Sequence, residues 1–191
     1  KYMNNSELRT YVTRNGRSKN TMSCLTTSDF GKYLDTPIGT VCYNTDRVLT
    51  TVLDKENVEG FASIILRLAS RSGVKMSQEQ SLLTYQWLEH IAMYVNQAIA
   101  NPIFAKNFLQ GINSSLEKST YLTGNHMTIA DIAAYHILYT LIERLSVAER
   151  ESLIHVCRWS KHVQSQPKVC QNHPPLFLNA LTLSFLAPAA H

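Results

Sequence analysis

The segment from Thr128 to Glu143 constrains the fold more than any other part of the chain, because its apolar residues occupy every side of a helix. Thr128 and Asp131 have the spacing of a capping box, in which the Thr128 hydroxyl accepts from the Asp131 N–H and the Asp131 carboxylate accepts from the Thr128 N–H. Met127 and Ile132 are spaced to form a hydrophobic staple around this cap. A helix that is apolar on all sides is typical of a buried position. The sequence therefore predicts a capped helix at the centre of a helical domain.

Helical patterns also lie on both sides of this segment. Apolar residues between Leu83 and Ala98 recur at helical spacing and predict a helix before it. Ser146 and Glu149 form a second capping box, which predicts a helix that ends before Pro167. The second half of the chain is therefore predicted to be all-α.

These elements resemble the C-terminal domain of glutathione-transferase-like proteins, whose motif is Leu-Thr-Gly, a short spacer and Ser/Thr-x-x-Asp-Ile/Leu. This chain has Leu122-Thr-Gly124 followed by Thr128-Ile-Ala-Asp131-Ile132. Within that family, the chain is similar to the non-catalytic scaffold subunits of the multi-aminoacyl-tRNA-synthetase complex. The segments that carry this similarity are Gln86–Glu89, Tyr121–Gly124, Thr128–Ile132 and Arg158-Trp159, within a region of roughly residues 24–172.

The resemblance implies an α+β, mostly helical fold of the glutathione-transferase type. Its expected parts are a basic flexible extension at residues 1–21, a reduced thioredoxin-like lobe at 22–72, a linker at 73–76 and an all-α C-terminal domain at 77–187. Within the lobe, the residue pattern predicts a helix from Ser28 to Leu34, an extended run from Val48 to Leu53 and, after a turn, a helix from Phe61 to Leu68.

The positive charge of the chain is confined to its first residues. Residues 1–21 hold five Lys or Arg and one Glu, so they carry the whole net charge of +4 and the remaining residues sum to zero. Phosphate binding needs clustered cations, and tRNA is therefore expected to be bound at most indirectly. The apolar run from Leu176 to Ala187 is twelve residues long, shorter than the about 20 needed to cross a bilayer. It is predicted to be a last helix with Pro174-Pro175 in its first turn, and no membrane association is expected.

Metal binding is not expected either. The four cysteines include no Cys-x-x-Cys pair, which favours free thiols in a reducing compartment. His155, Cys157, Cys170 and His173 are of the residue types that bind zinc, but residues two apart on a helix point about 200° apart, so His155 and Cys157 are poorly placed to share one ion.

A glutathione transferase or glutathione-binding protein is the alternative function. Transferases of this family use a hydroxyl or thiol after the first strand, a cis-proline before the third strand and an acidic–serine pair that opens the next helix. This chain has no proline near Arg47-Val48, and Glu59-Gly60 stands where the acidic–serine pair is expected. Loss of an activating group costs roughly 10²–10⁴ in rate. We therefore expect a protein that is not an enzyme and has no cofactor.

The resemblance implies a scaffold that supports translation in the cytoplasm and also enters the nucleus. Its expected partners are methionyl-tRNA synthetase, the glutamyl-prolyl enzyme and other transferase-like scaffold subunits, bound by like-with-like domain pairing. Arg158 and His162 are one candidate surface, since residues four apart share a helix face; a solvated arginine beside Trp159 is the alternative. Ile65, Arg67 and Leu68 are the second candidate surface, at the seam between the two parts.

Overall fold

A computed structural model describes residue 27, residues 29–171 and residues 173–178. Residues 29–33 are helical. The elements that follow are strands β1 (Cys42–Tyr43), β2 (Leu49–Leu53) and β3 (Glu56–Glu59), then helices α1 (Phe61–Arg71), α2 (Gln78–Ala100), α3 (Pro102–Ser115), α4 (Ile129–Glu143), α5 (Val147–Ser152) and α6 (Ile154–Gln164), and a 3₁₀ turn at Val169–Gln171. The extension predicted at residues 1–21 lies outside the described residues.

The three strands form an antiparallel sheet in the order β1-β2-β3. β2 and β3 are joined by Asp54 and Lys55, which both have positive φ angles, of 53° and 67°. Two such residues are typical of a type I′ hairpin turn, which matches the twist of the strands it joins. The extended run and the turn predicted for this segment are confirmed, and the mostly helical α+β class is confirmed with them.

Helix α4 lies at the centre of the helical part, as its composition predicts. All of its residues are buried except Thr140 and Glu143, and it packs against α2 and α6. Helix α1 covers the sheet and packs against α2 on its other side. The core therefore runs continuously from the sheet, through α1 and α2, to α4.

The capping box at Thr128 and Asp131 is confirmed, and it does more than begin a helix. Asp131 Oδ2 accepts from the Thr128 N–H at 2.8 Å and from the Thr128 hydroxyl at 3.1 Å. Asp131 Oδ1 accepts from the Leu122 N–H and from the Trp159 indole Nε1–H, both at 2.8 Å. One fully buried carboxylate thus joins the Leu-Thr-Gly loop, the start of α4 and the middle of α6. Met127 and Ile132 both pack against the core next to it.

The second capping box is also confirmed, but the helix that it begins is short. Ser146 and Glu149 cap α5, which ends at Ser152, because Leu153 leaves helical geometry at φ −112° and ψ 42°. A new helix, α6, begins at Ile154. Its first N–H groups are bound by a residue of α3, since Asn113 Oδ1 accepts from the N–H of His155 at 3.0 Å and from that of Val156 at 3.1 Å. The structure therefore has two helices where the sequence predicted one, and the second is capped by a residue from a distant part of the chain.

The segment after α6 differs from its prediction as well. Residues 174–178 are not helical, so Pro174-Pro175 do not open a last helix; residues 179–191 lie outside the described part. Leu176 is held by the Gln164 side chain, whose Nε2 donates to the Leu176 carbonyl at 3.0 Å and whose Oε1 accepts from the Leu176 N–H at 2.9 Å. The Tyr139 hydroxyl donates to the Pro174 carbonyl at 2.8 Å. Side chains of α4 and α6 thus supply the hydrogen bonds that a helix would have made within itself.

We predict that Asp131→Ala lowers the free energy of unfolding by about 3 kcal/mol or more, because four donors lose their acceptor and two of them, the Leu122 N–H and the Trp159 indole N–H, are buried. Trp159→Phe removes one of these donors and should cost about 2 kcal/mol. The two substitutions share one hydrogen bond, so the double variant should lose less than the sum of the single losses. Urea unfolding of the four proteins measures these differences. Wild-type stability of Asp131→Ala, or strict additivity, would contradict the role assigned to the carboxylate.

Candidate interaction site

Arg158, the main candidate for partner binding, is partly committed to the fold. Its Nη2 donates to the carbonyl oxygens of Leu116 at 2.6 Å and of Ser119 at 2.9 Å. Leu116 is the C-cap residue of α3, where the last C=O groups lack partners within the helix, and Ser119 lies in the loop that follows. Arg158 is half-buried, so the alternative of a solvated arginine is wrong. Its Nη1 makes no hydrogen bond to any residue that the structure describes.

His162 lies on the same side of α6 as Arg158 and is exposed. Its ring centroid is 6.5 Å from that of Tyr121. Ile154, four residues before Arg158, is also exposed. The structure therefore brings Arg158 and His162 together on one face of α6, beside an exposed apolar side chain.

The second candidate surface is not a surface. Ile65 and Leu68 are fully buried, because α1 lies between the sheet and α2 and uses both of its sides for packing. Only Arg67 reaches solvent, and its guanidinium pairs with Glu56 and Asp54 of the β2–β3 hairpin. The expectation that Ile65 and Leu68 contact a partner is wrong, since amphipathic spacing does not distinguish one buried side from two.

The backbone before β2 is already hydrogen-bonded within the chain. The Val48 N–H donates to Asn44 Oδ1 at 2.9 Å, and the Val48 carbonyl accepts from the Asn44 N–H at 3.0 Å. The resemblance to the transferases predicts that backbone at this position would face glutathione. Both backbone groups of Val48 are bound to Asn44.

The carboxylate expected to bind the other end of glutathione is occupied too. Glu59 Oε1 accepts from Asn57 Nδ2 at 3.0 Å and from Asn44 Nδ2 at 3.3 Å. Gly60, which follows it, begins α1 without a side-chain cap, and its φ of 88° favours glycine at this place. Both asparagines thus bind Oε1 of this exposed carboxylate.

Burial changes the pKa values of several groups, among them Asp131, Tyr135 and His136. Burial raises the pKa of Asp131, and hydrogen bonds from Leu122, Thr128 and Trp159 oppose that rise. Burial lowers the pKa of His136 to about 4, although the nearby Asp29 carboxylate opposes the shift. His136 is only 4% exposed, and within the described part of the chain neither of its ring nitrogens has a hydrogen-bond partner. It is therefore a neutral core residue.

The described residues contain no group of three or more His, Cys, Asp or Glu side chains that could hold a metal ion. The Cys157 thiol donates to the Arg150 carbonyl at 3.6 Å, and the Cys170 thiol to that of Gln164 at 3.4 Å. His173 lies elsewhere, stacked on Tyr139 at 4.6 Å between ring centroids. Neither cysteine thus shares a ligand set with a histidine.

The sequence analysis did not predict that Asn113 caps α6, although a polar residue among apolar ones is visible in the sequence. Asn113 is buried on α3 between the apolar Ile112 and Leu116, and a polar side chain on a buried face needs a partner there. The sequence does not indicate which backbone groups it binds, because His155 and Val156 lie more than forty residues away.

We predict that His136→Leu reduces the loss of stability in acid. The folded protein binds a proton at His136 only near pH 4, whereas an unfolded histidine binds one near pH 6.5. The contribution of His136 is therefore complete above pH 6.5 and is lost as the pH falls towards 4, which amounts to about 3 kcal/mol. Unfolding free energies measured between these pH values should fall less in the variant. The exposed His126→Leu is the control, and equal slopes for His136→Leu and wild type would contradict this assignment.

We predict that Arg158→Ala lowers the melting temperature, because the carbonyl groups of Leu116 and Ser119 lose their donor. A simple surface substitution usually changes stability within about 0.5 kcal/mol, so the exposed Lys75→Ala serves as the control. Thermal unfolding followed by circular dichroism compares the three proteins. Equal melting temperatures would show that the contacts to Leu116 and Ser119 add nothing to stability.

No helix within the described residues is long and apolar enough to span a membrane.

Comparison with solved structures finds the theta class glutathione S-transferase of Xanthomonas axonopodis pv. citri, in its apo form, with a TM-score of 0.60 at 12% identity. The match covers 80% of this chain and 92% of the transferase. At this identity the match establishes the fold, which is that of the glutathione transferases.

Residues 80–167 match the Arc1p N-like family model, described as nuclear-export cofactor Arc1p. The chain is similar to eukaryotic translation elongation factor 1 epsilon-1 of Homo sapiens, with 37% identity over 95 residues, 49% of this chain and 53% of the human protein. It therefore spans about half the length of the human relative. The Cricetulus griseus protein of the same name is 31% identical over 120 residues, 61% of this chain and 68% of that protein. At that coverage and identity, the chain belongs to the eukaryotic translation elongation factor 1 epsilon-1 family.

Proposed function

We propose that the chain is a non-catalytic adaptor in a multi-aminoacyl-tRNA-synthetase complex and supports translation. Two observations support the proposal: the chain belongs to a translation factor family, and Asn44 binds both backbone groups of Val48, where the resemblance places the contact with glutathione. We therefore propose that the chain functions through surfaces that bind other proteins. Function is argued from those surfaces, since one fold supports many activities.

The proposed partners are methionyl-tRNA synthetase, the glutamyl-prolyl enzyme and other transferase-like scaffold subunits, in the cytoplasm and also in the nucleus. tRNA is proposed to be bound only through these partners. The net charge of the chain beyond residue 21 is zero, which supports this part of the proposal, because nucleic-acid binding depends on clustered cations.

Arg158 and His162 form the proposed docking face, with Arg158 as its centre. The contacts of Arg158 Nη2 with Leu116 and Ser119 hold the guanidinium in one orientation. Its Nε is buried, so Nη1 is the group offered to a partner, and a guanidinium held in this way loses little conformational entropy when Nη1 binds. His162 and Ile154 are exposed beside it and extend the face along α6.

We predict that Arg158→Ala reduces capture of one partner synthetase by the tagged full-length chain. Interface arginines can contribute about 2 kcal/mol or more, which corresponds to about thirtyfold in affinity. Because this variant also affects folding, His162→Ala is the companion change: it should lower capture of the same synthetase at an unchanged melting temperature. Affinity capture from host lysate with quantitative mass spectrometry measures both, with Lys75→Ala as control. Undiminished capture by both variants would exclude this face, and capture of no synthetase by the wild type would contradict the adaptor function.

We predict no glutathione chemistry, because Asn44 occupies both backbone groups of Val48 and Gly60 offers no hydroxyl. Glutathione at millimolar concentration should leave the melting temperature unchanged, whereas a bound ligand stabilises a folded protein. Turnover of a chloro-nitrobenzene substrate should not exceed the rate without protein. Thermal stabilisation together with turnover would favour the transferase function.

A further inference from the structure

A cleft of about 260 Å³ opens where the ends of α2, α3 and α4 meet α5. Its wall is mainly apolar and includes Ala98, Ala105, Leu109, Leu141, Leu145 and Leu153. Neither Arg158 nor His162 lines the cleft. It is therefore a feature separate from the proposed docking face, and it has no part in the glutathione position near Val48.

Two exposed apolar side chains lie next to wall residues of this cleft in the sequence and are called its rim. Ile103 is 77% exposed and follows Pro102 of the wall. Val147, also exposed, lies on α5 between two wall residues. A free small molecule that filled 260 Å³ would leave these side chains in water. The arrangement favours a macromolecule that inserts a side chain and also covers the rim.

The cleft is cationic. Lys106 and Arg144 are part of its wall, and within the described residues neither lies within 4.0 Å of a carboxylate oxygen. Glu149 is the one carboxylate in the wall. It is already bound by the Ser146 hydroxyl at 2.6 Å and the Ser146 N–H at 2.8 Å. Those bonds lower the pKa of Glu149, and the charge of Lys106 lowers it further. The wall thus holds two cations and one carboxylate.

We infer that this cleft docks an acidic amphipathic segment of a partner protein: an apolar side chain enters the cleft, and flanking carboxylates pair with Lys106 and Arg144. The inference rests on the proposed adaptor function and names the chemistry of one partner. Complementary charge steers such an encounter and disfavours wrong partners. A symmetric pair of two copies is disfavoured, because it would bring the same cations together.

The probe for this site is a synthetic amphipathic peptide with Leu and Phe on one helix face and Glu on its flanks. Its matched control has Lys in place of Glu. Fluorescence anisotropy with the full chain should give binding of the Glu peptide at least tenfold tighter than that of the Lys peptide, with a dissociation constant that rises with salt. Equal affinity for both peptides, or no binding of the Glu peptide, would overturn the inference.

Variants of the chain locate the binding. Ala105→Trp fills the cleft, and Lys106→Glu with Arg144→Glu reverses its charge; each change should weaken the Glu peptide at least tenfold. Lys75→Glu alters an exposed lysine outside the cleft and should leave the affinity unchanged beyond a small effect of net charge. If Ala105→Trp unfolds the chain, Ile103→Asp tests the rim at an exposed position. Unchanged affinity in the charge-reversed and rim variants would place the peptide elsewhere and overturn the inference.

The peptide-binding test and the synthetase-capture test can fail independently of each other. Synthetase capture without peptide binding overturns only the cleft, and peptide binding without synthetase capture overturns only the adaptor function. Sedimentation velocity of the chain alone tests a second copy as occupant. We expect a sedimentation coefficient that does not change with protein concentration. If the coefficient rose with concentration and Ala105→Trp abolished that rise, the cleft would be a site of self-association, and the proposal of an external partner would be overturned.

Discussion

The buried carboxylate of Asp131 is the interaction on which the rest of the structure depends. An ionised carboxylate inside a protein is costly unless its oxygens are hydrogen-bonded, and Asp131 accepts four hydrogen bonds at 2.8 to 3.1 Å. The donors come from the Leu-Thr-Gly loop, from the start of α4 and from Trp159 of α6. The loop and the start of α4 lie within ten residues of Asp131, whereas Trp159 is 28 residues away, so the carboxylate fixes how α6 meets the start of α4. Helix α4 then provides the wall against which α2 and α6 pack.

Further hydrogen bonds between side chains and backbone join the elements at their ends. Asn113 of α3 caps the start of α6, and Arg158 of α6 binds the carbonyl of Leu116, the C-cap residue of α3, and that of Ser119 in the loop after it. The two helices thus satisfy each other's terminal backbone groups, which would otherwise lack partners. The Gln164 side chain likewise binds the backbone N–H and carbonyl of Leu176. These bonds give α6 a defined position relative to α3 and α4.

Local patterns were sufficient to predict the elements whose causes are local. Thr128 and Asp131 lie three residues apart, and the β2–β3 hairpin depends on Asp54 and Lys55 alone. The break at Leu153 could not be predicted, because the cap that starts α6 comes from Asn113.

Contacts between residues distant in sequence also determine the candidate site, and local patterns do not show them. Ile65 and Leu68 have amphipathic spacing, but only the placement of α1 between the sheet and α2 shows that both are buried. The role of Arg158 at the end of α3 likewise depends on a contact across about forty residues of sequence. The cleft beside Lys106 and Arg144 is assembled from four helices, and no single stretch of sequence indicates it.

The central claim is that this transferase fold acts through its surfaces and not through a bound thiol substrate. The most direct measurement is isothermal titration of purified methionyl-tRNA synthetase with the purified full chain, with and without glutathione. We expect saturable binding with the same dissociation constant in both conditions, and no heat from glutathione alone. Absence of a complex with the synthetase, together with saturable heat from glutathione, would contradict the claim.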